Sequence, residues 1–391
     1  MSDVLERDPV QTPAEPAPPK PRTAMAVMGG FSALALLAAL AGGELFTRHA
    51  STADGDFAGA TVEVVIPLAE GGGTDTWARF VGQELMRTVP GQPGFSPLND
   101  GGGEGIIATN DFARSAPADG TEVLVSTATT VVPWVLGRSE VGYDFDRLTP
   151  IVVNGTGGAV YGRTGAGIDG VDDLADPDRP LRFGGISPTG LDLTTMVAFD
   201  LLGVETTAVF GFEGRGPVNL ALQRGEIDLD YQTTSAWAPS VEPLLEDGTA
   251  VPLMSLGQLD ENGEVVRDPN FPDLETVPEV YERLHGSEPD GEAYEAYRTM
   301  LGVTYTYQKA MWVPQDTPEE AVEALRSSAH ELSQDSGFEE EAAEVLGGYP
   351  LEARPDIAER TRDTYSVDGS VRDYLVTLLE TGYGVELDEE V

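Results

Sequence analysis

The sequence contains no cysteine and only two lysines, Lys20 and Lys309, among its 391 residues. The chain can therefore form no disulfide, no thiolate metal site and no thiol nucleophile. It also has no cysteine to carry a lipid, so any attachment to a membrane must be made by the polypeptide itself. The three histidines, His49, His285 and His330, are far apart and lack the spacing of metal ligands. We therefore expect no metal site and no cofactor.

Basic residues are scarce as a class. The chain has 23 lysines and arginines against 67 acidic residues, which gives a formal net charge of −44. The excess is spread over the whole chain rather than gathered in a tail, as is typical of a surface adapted to very high salt. At molar salt the Debye length is roughly 3 Å, so repulsion among these charges is largely screened. Nucleic acid is not an expected partner of such a surface.

Motifs of nucleophilic catalysis are missing as well. The chain has no Gly-x-Ser-x-Gly element and no evident Ser/His/Asp set. Pairs of acidic residues carry almost no information among 67 carboxylates. The sequence therefore offers no positive sign of an enzyme.

The N-terminal part of the chain differs in composition from the rest. Residues 1–22 are rich in proline and charge, which predicts a disordered tail. Residues 23–43 carry no charge, and at about 1.5 Å each they span roughly 30 Å, enough to cross a bilayer. We expect an uncleaved anchor, and a signal segment cleaved after Ala39-Leu-Ala41 is the alternative. Either one places the rest of the protein outside the cytoplasm, with residues 44–56 as a tether.

One stretch combines a buried strand, a glycine loop and a helix start. Residues 62–67 are apolar and β-branched, as in a parallel strand, and a helix is predicted from about Thr74 to Thr88. The loop between them contributes Gly71, Gly72, Gly73, Thr74 and Asp75. Such loops present bare backbone N–H groups and the positive end of a helix to an anion. The stretch lacks the lysine and the glycine spacing of nucleotide-binding loops. A tight turn without a ligand is the alternative explanation.

The elements after this stretch predict an α/β fold, because strands and helices alternate. Glycine-rich or hydroxyl-rich loops follow several strands, and ligands of parallel sheets lie beyond the carboxyl ends of strands. A first unit has strands at 62–67, 95–99 and 121–126 and helices at 74–88 and 106–114. A second unit has strands at 151–154, 159–161, 181–183, 207–212, 227–231 and 251–255, helices near 171–174, at 191–202 and from Pro217, and an irregular acidic loop at 258–278. A last strand at 310–313 is expected to return to the first sheet, and helices follow from Pro318.

Seven segments together carry a resemblance to a known family. They are Val65–Arg79, Asn99–Ala108, Ala116–Thr121, Gly184–Gly190, Val209–Gly214, Leu222–Asp228 and Trp312–Pro318. In this order, over about 61–346, the chain resembles the extracytoplasmic solute receptors of tripartite tricarboxylate transporters, the Bug receptors.

The resemblance implies a two-domain α/β fold like that of type II periplasmic binding proteins, with a ligand cleft between the domains. Domain one would comprise 57–155 and 305–391, and domain two 156–304. In the family the ligand carboxylate is held largely by backbone N–H groups and waters at the first glycine loop. The implied ligand-binding residues are Gly71, Gly72, Gly73, Thr74, Asp75, Thr127, Ser187, Thr189, Gly190, Phe212, Gly214 and Thr233.

Two departures from the family pattern concern positive charge. Glu213 stands where the family usually has a lysine, and a family histidine corresponds here to Thr194 or Thr195. Both changes remove positive charge near the expected ligand, so the identity of the substrate cannot be carried over.

We therefore predict a receptor that captures a small di- or tricarboxylate outside the cytoplasm and works with integral membrane transporter subunits. It is expected to be a monomer, held at the membrane through its N-terminal segment or secreted if that segment is cleaved. Two alternatives stay open at this point. One is a secreted α/β enzyme acting on a carboxylate, with Asp75 as its base, and the other is a ligand sensor without a transporter.

Overall fold

Two large β-sheets with helices packed against them form the part of the chain that the structure, a computed structural model, describes. The described residues are 52–71, 73–385 and 387. The predicted tail and the apolar segment at 23–43 lie outside them, as does Gly72. No helix in the described part of the chain is both long and apolar enough to cross a membrane.

Strands and helices are numbered here in chain order. The strands are β1 (Thr61–Ile66), β2 (Gly94–Asn99), β3 (Glu122–Ser126), β4 (Leu148–Asn154), β5 (Gly158–Arg163), β6 (Leu181–Gly184), β7 (Thr206–Val209), β8 (Leu229–Thr233), β9 (Ala250–Ser255), β10 (Gln258–Leu259), β11 (Val265–Val266), β12 (Lys309–Pro314) and β13 (Leu351–Glu352). The α-helices are α1 (Gly73–Thr88), α2 (Ile106–Ser115), α3 (Ala128–Leu136), α4 (Asp192–Leu202), α5 (Arg215–Gln223), α6 (Thr234–Ser240), α7 (Glu242–Glu246), α8 (Val277–His285), α9 (Glu292–Leu301), α10 (Glu319–Ser333), α11 (Ser336–Leu346), α12 (Ile357–Tyr365) and α13 (Gly369–Thr377).

The first sheet has six strands in the order β13-β4-β12-β3-β1-β2. Strand β1 pairs in parallel with β2 and β3, while β12 is antiparallel to both β3 and β4. The carboxyl ends of β1, β2, β3 and β4 therefore lie at one edge of the sheet, together with the beginning of β12. The strand at 310–313 thus returns to the first sheet, as predicted.

The first strand is covered by buried side chains on both faces. Val62 and Val64 pack in one cluster with Trp77 of α1, while Val65 packs in another with Leu124. Because successive side chains of a strand point to opposite faces, an apolar strand of this kind needs cover on both sides. The packing of Trp77 fixes the start of α1 over the carboxyl end of β1.

The second sheet has five strands in the order β7-β6-β8-β5-β9. Two neighbouring segments connect the two sheets, residues 155–157 before β5 and residues 302–308 before β12. The backbone N–H of Thr156 donates to the carbonyl oxygen of Tyr305 at 2.9 Å. A Cβ at Gly155 would lie 3.0 Å from another carbonyl oxygen of this segment. Glycine therefore allows the two connections to run side by side.

Three predictions of local structure need correction. The hydroxyl run after β3 begins a helix that was not predicted, since Thr127 caps α3. Strand β7 ends at Val209 rather than 212, because Gly211 turns the chain with a φ of +96°. The segment 258–278 is not irregular: it contains the β10–β11 hairpin and the first residues of α8. The side chain of Asp260 closes that hairpin by accepting two backbone N–H groups of the turn.

Candidate functional site

Asp75 holds the first glycine loop in place. Its carboxylate accepts the backbone N–H of Gly71 at 2.8 Å. It also accepts hydrogen bonds from Nε of Arg79 at 2.7 Å and from the side-chain amide of Asn99 at 2.9 Å. Asn99 is the last residue of β2 and donates in addition to the carbonyl oxygen of Leu68 at 3.0 Å. Asp75 therefore ties the loop after β1 to the end of β2 and to the first turn of α1.

These contacts decide the protonation of Asp75. Burial alone would raise the pKa of this carboxyl group, but the hydrogen bonds from Gly71, Asn99 and Arg79 outweigh burial and lower the pKa. Asp75 is thus held ionised, with both oxygens engaged. This arrangement disfavours the alternative in which Asp75 acts as a general base, since a base needs a free oxygen and a raised pKa.

The backbone of the loop is accessible. Gly71 has a φ of +82°, a conformation that costs a glycine little. Both Gly71 and Gly73 are exposed, and an added Cβ at either position meets no atom within 4 Å. Gly73 begins α1, and the first N–H groups of a helix have no partner within it. The side chain of Thr74, in contrast, is almost fully buried, and Gly72 lies outside the described residues.

The second glycine loop packs against the first. A Cβ at Gly105, where φ is +91°, would lie 2.8 Å from the carbonyl oxygen of Pro67 and 2.9 Å from Cγ2 of Thr130. Only glycine lets this loop reach both the end of β1 and the first turn of α3. The contact brings the first glycine loop and the threonines after β3 to the same edge of the first sheet.

Thr127 serves as a helix cap at that edge. Its Oγ1 accepts the backbone N–H of Thr129 at 3.2 Å, and its own N–H donates to Oγ1 of Thr130 at 3.1 Å. This reciprocal arrangement is a capping box, which satisfies donors at the start of α3. The Thr127 side chain is buried, so its role here is to fix the helix start.

Thr189, in the loop between β6 and α4, joins the second sheet to loops of the first. Its hydroxyl donates to Oε2 of Glu104 at 3.1 Å and accepts from Nη1 of Arg138 at 3.1 Å. Arg138 also forms an ion pair with Glu104 at 3.6 Å. These three side chains connect the second glycine loop, the end of α3 and the loop before α4.

The rest of that loop is held by α4 and lies against α3. Oδ2 of Asp192 accepts the backbone N–H of Ser187 at 3.0 Å, and Oγ of Ser187 accepts the N–H of Thr189 at 3.2 Å. A Cβ at Gly190 would lie 3.4 Å from Cγ2 of Thr129. The predicted residues at 187–190 therefore lie beside the start of α3.

A partly buried arginine supports the same loop. Arg215 follows Gly214 and pairs through Nη2 with Oδ1 of Asp192 at 3.2 Å, and through Nη1 with Oδ1 of Asp230 at 3.1 Å. Its guanidinium lies 4.2 Å from the centre of the Tyr231 ring. Burial raises the pKa of Asp230 to about 6, although the charge of Arg215 opposes this shift. Asp192 and Asp230 thus provide counter-charges for Arg215 within the protein.

Three predicted residues stand apart from these contacts. Phe212 is partly buried against a cluster that contains Trp237. A Cβ at Gly214 would meet open space, and Thr233 ends β8, where it pairs with Gly158. Among the described residues, no hydrogen bond joins any of the three to the loop at 187–190. The structure therefore places Ser187, Thr189 and Gly190 beside the start of α3, which Thr127 caps, and shows no such contact for Phe212, Gly214 or Thr233.

The sequence analysis missed the arginines beside these loops. Glu213, which stands where the resembled family usually has a lysine, is exposed. Arg215, two residues later, places a positive charge close to that position. An arginine inside a glycine loop was a usable signal in a chain with only 23 basic residues. Arg138 offered no such signal, because its partner Thr189 is 51 residues away. Thr194 is fully buried, and its hydroxyl forms a hydrogen bond with the hydroxyl of Thr304 at 2.7 Å. Its side chain is therefore not available to a ligand at the surface.

A cavity of about 840 Å³ lies elsewhere, between the β10–β11 hairpin and residues 350–354. None of the predicted ligand-binding residues lines it. Its walls carry both signs of charge, for example Arg360 and Asp260. These walls therefore do not favour an anionic ligand, and we do not place the candidate site in this cavity.

Known proteins resemble this chain in structure rather than in sequence. No family model matches it, and neither does any curated protein sequence. A protein of R. palustris solved with adipate is similar over 83% of this chain and 97% of its own, with a TM-score of 0.60 and 23% identity. The periplasmic binding protein BugD is similar over 84% and 98%, with a TM-score of 0.58 and 20% identity. The chain has the two-domain fold of a periplasmic binding protein.

A third similar structure is MatC from Rhodopseudomonas palustris, solved with bound malate. It is 21% identical, with a TM-score of 0.53, over 81% of this chain and 99% of its own. At such identities the likeness establishes the fold, and the predicted α/β fold class of the periplasmic binding protein type is confirmed. The loops at the carboxyl ends of β1, β3 and β6 thus belong to a two-domain binding protein fold.

Proposed function

We propose that this protein is an extracytoplasmic solute-binding receptor that captures a small carboxylate for a tripartite tricarboxylate-type secondary transporter. Similar structures were solved with adipate and with malate, both dicarboxylates. Seven sequence segments resemble receptors of this transporter class. The observation in this chain that carries the proposal is the first glycine loop, which Asp75 holds while Gly71 and Gly73 face open space.

The chemistry of this loop suits a carboxylate. A protein with a net charge of −44 repels anions at long range, so an anion must be held by short-range donors. The start of α1 supplies N–H groups and the positive end of the helix dipole. High salt screens the long-range repulsion while short hydrogen bonds in a closed cleft persist. A ligand with two or three carboxylates would in addition reach the loop at 187–190.

The ligand would lie between two domains, one formed by 57–155 with 305–391 and the other by 156–304. The contacts of Thr189 with Glu104 and Arg138 support this arrangement, because they join loops of the two proposed domains. The proposed lining comprises the twelve residues named in the sequence analysis, with Asp75 and Thr127 acting through the backbone that they hold.

The receptor would face the outside of the cell as a monomer, anchored by residues 23–43, and deliver its ligand to integral membrane subunits. Protein prepared from native membranes should then keep its N-terminal peptide and require detergent for release. A mature N-terminus near Gly42 would show cleavage instead. Neighbouring genes for a large and a small membrane subunit would separate a receptor from a ligand sensor without a transporter.

A thermal-shift screen in high salt tests the proposed ligand class. The panel contains di- and tricarboxylates, monocarboxylates, sugars, amino acids and phosphate. We expect the largest rise in melting temperature from a di- or tricarboxylate, since a ligand at about 100 times its Kd adds roughly 2.7 kcal/mol of stability. Stabilisation confined to sugars or to cations would refute the proposal.

A variant pair tests the place of binding. Gly73 and Gly369 are the first residues of α1 and α13, and a Cβ at either meets no atom within 4 Å. Gly73→Val and Gly369→Val should therefore both fold. We expect Gly73→Val to weaken carboxylate binding at least tenfold by obstructing the loop, and Gly369→Val to leave it unchanged. Equal affinities of the two variants would place the ligand elsewhere.

A further inference from the structure

Lys309 begins β12 at the edge of the first sheet where the candidate loops meet. Its neighbour Ala310 pairs with Ser126, so Lys309 lies across from the start of α3. On its other side Lys309 pairs with Asn154, the last residue of β4. The lysine therefore stands between the carboxyl ends of two strands, at the base of the connection that joins the two sheets.

The side chain of Lys309 leaves the sheet on the face that α1 covers. Alternate residues of a strand share a face, so Lys309 lies on the same side as Met311, which packs in one cluster with Trp77. Nε1 of Trp77 donates to Oδ1 of Asn154 at 3.1 Å, and Asn154 is the cross-strand partner of Lys309. Trp77 is the fifth residue of α1, one helical turn after its start at Gly73. The lysine and the loop are thus neighbours on one face of the sheet.

The charge of Lys309 has no counter-charge in the described part of the chain. No described carboxylate lies within 4 Å of its Nζ, which donates to the neutral side chain of Gln308. The arginines beside the candidate loops all have carboxylate partners: Arg79 has Asp75, Arg138 has Glu104, and Arg215 has Asp192 and Asp230.

An unpaired ammonium is unexpected in a chain with 67 acidic residues, where a carboxylate partner is easy to supply. Burial without a counter-charge lowers the pKa of Lys309 to about 8. A ligand carboxylate would supply the missing charge and compensate this burial.

We propose that Lys309 is the cationic ligand-binding residue of the carboxylate site, pairing through its Nζ with a carboxylate of the bound ligand. This inference rests on the proposed function and adds a charged side chain to a site that otherwise consists of backbone and hydroxyl donors. It also explains how an acidic protein holds a polyanion after losing the lysine and histidine positions of the related receptors.

Titration calorimetry in high salt tests the inference on the protein with its full chain. The probe is the best binder among malate, adipate, succinate and citrate. We expect Lys309→Gln to raise Kd at least tenfold and Lys309→Arg, which keeps the charge, to recover part of the affinity. The stability of the ligand-free Lys309→Gln variant should not fall, because the variant removes a partly buried charge that has no counter-charge. A lysine with a purely structural role would show the reverse, a loss of stability without a loss of affinity.

Arg326 provides a matched control. It is half-buried in α10, has no carboxylate within 4 Å among the described residues, and donates to the carbonyl oxygen of Pro150, towards the other end of β4. We expect Arg326→Gln to keep the wild-type Kd within twofold. If the wild type binds the probe and Lys309→Gln binds it equally well, the inference is wrong and the proposed function stands. If the wild type binds none of the four carboxylates, both the inference about Lys309 and the proposed function are wrong.

Discussion

Replacing Asp75 with asparagine tests whether this side chain builds the glycine loop. In Asp75→Asn one carboxylate oxygen becomes an NH2 group, which cannot accept a hydrogen bond. An NH2 group at the Oδ2 position would face the N–H of Gly71, and one at the Oδ1 position would face the donors of Arg79 and Asn99. Asparagine can therefore satisfy only one side of the network.

The magnitude follows from the hydrogen bonds that change. Bonds to a charged group contribute about 1.5–3 kcal/mol and neutral ones about 1 kcal/mol. The better orientation keeps Arg79 and Asn99 bonded to a neutral oxygen and loses the bond from Gly71. We expect the free energy of unfolding to fall by about 3 kcal/mol. For a chain this long, the melting temperature should drop by about 4 °C.

The assay combines thermal unfolding in high salt with a carboxylate titration. The control is Asp111→Asn, which removes the partner of Arg114 from an exposed ion pair in α2 and should change stability by less than about 0.5 kcal/mol. We expect Asp75→Asn to lose affinity as well as stability, because the loop it holds is the proposed binding site. Wild-type stability and wild-type affinity in Asp75→Asn would show that Asp75 does not hold the loop.

Two further predictions concern charge. Asp228 is fully buried between Arg179 and Arg182, so Asp228→Asn should destabilise the protein by about 3 kcal/mol in chemical denaturation. Burial alone would raise the pKa of Asp228, but the hydrogen bonds from Arg182 and Arg179 lower it below the ordinary 3.8. Its stabilisation is therefore complete above that pH and lost as the pH falls, and Asp228→Asn should respond less to acid than the wild type; an identical acid response would contradict this. Dilution from molar to about 0.1 M salt lengthens the Debye length from about 3 to about 10 Å, so the cooperative unfolding transition should be lost well below molar salt, and full stability in dilute buffer would count against the high-salt adaptation.

Local pattern was enough to predict β1, β3 and α1 around the glycine loops, but not α3. Apolar β-branched runs, followed by a glycine loop after β1 and by a hydroxyl run after β3, predicted these two strands within a residue or two, and the helical spacing after Asp75 predicted α1. Helix α3 was missed because six of its nine residues are threonine, valine or proline, a composition that favours strands and loops. Only the reciprocal cap at Thr127, visible in three dimensions, shows why a helix begins there.

The polar contacts of the site depend on residues far apart in sequence. One of the three partners of Asp75, Asn99, comes from a neighbouring strand 24 residues away. Lys309 pairs with Asn154 only because β12 returns to the first sheet. The sequence analysis predicted that return, yet it found no positive charge near the ligand, because the register of the pairing is not visible in a local pattern.

The most direct test of carboxylate binding is a calorimetric titration of the full chain in molar salt with malate and adipate, alongside acetate and glucose. We expect saturable binding of one dicarboxylate molecule per chain, weaker binding of acetate and no binding of glucose. Saturable binding of glucose, or the absence of binding by di- and tricarboxylates, would contradict it.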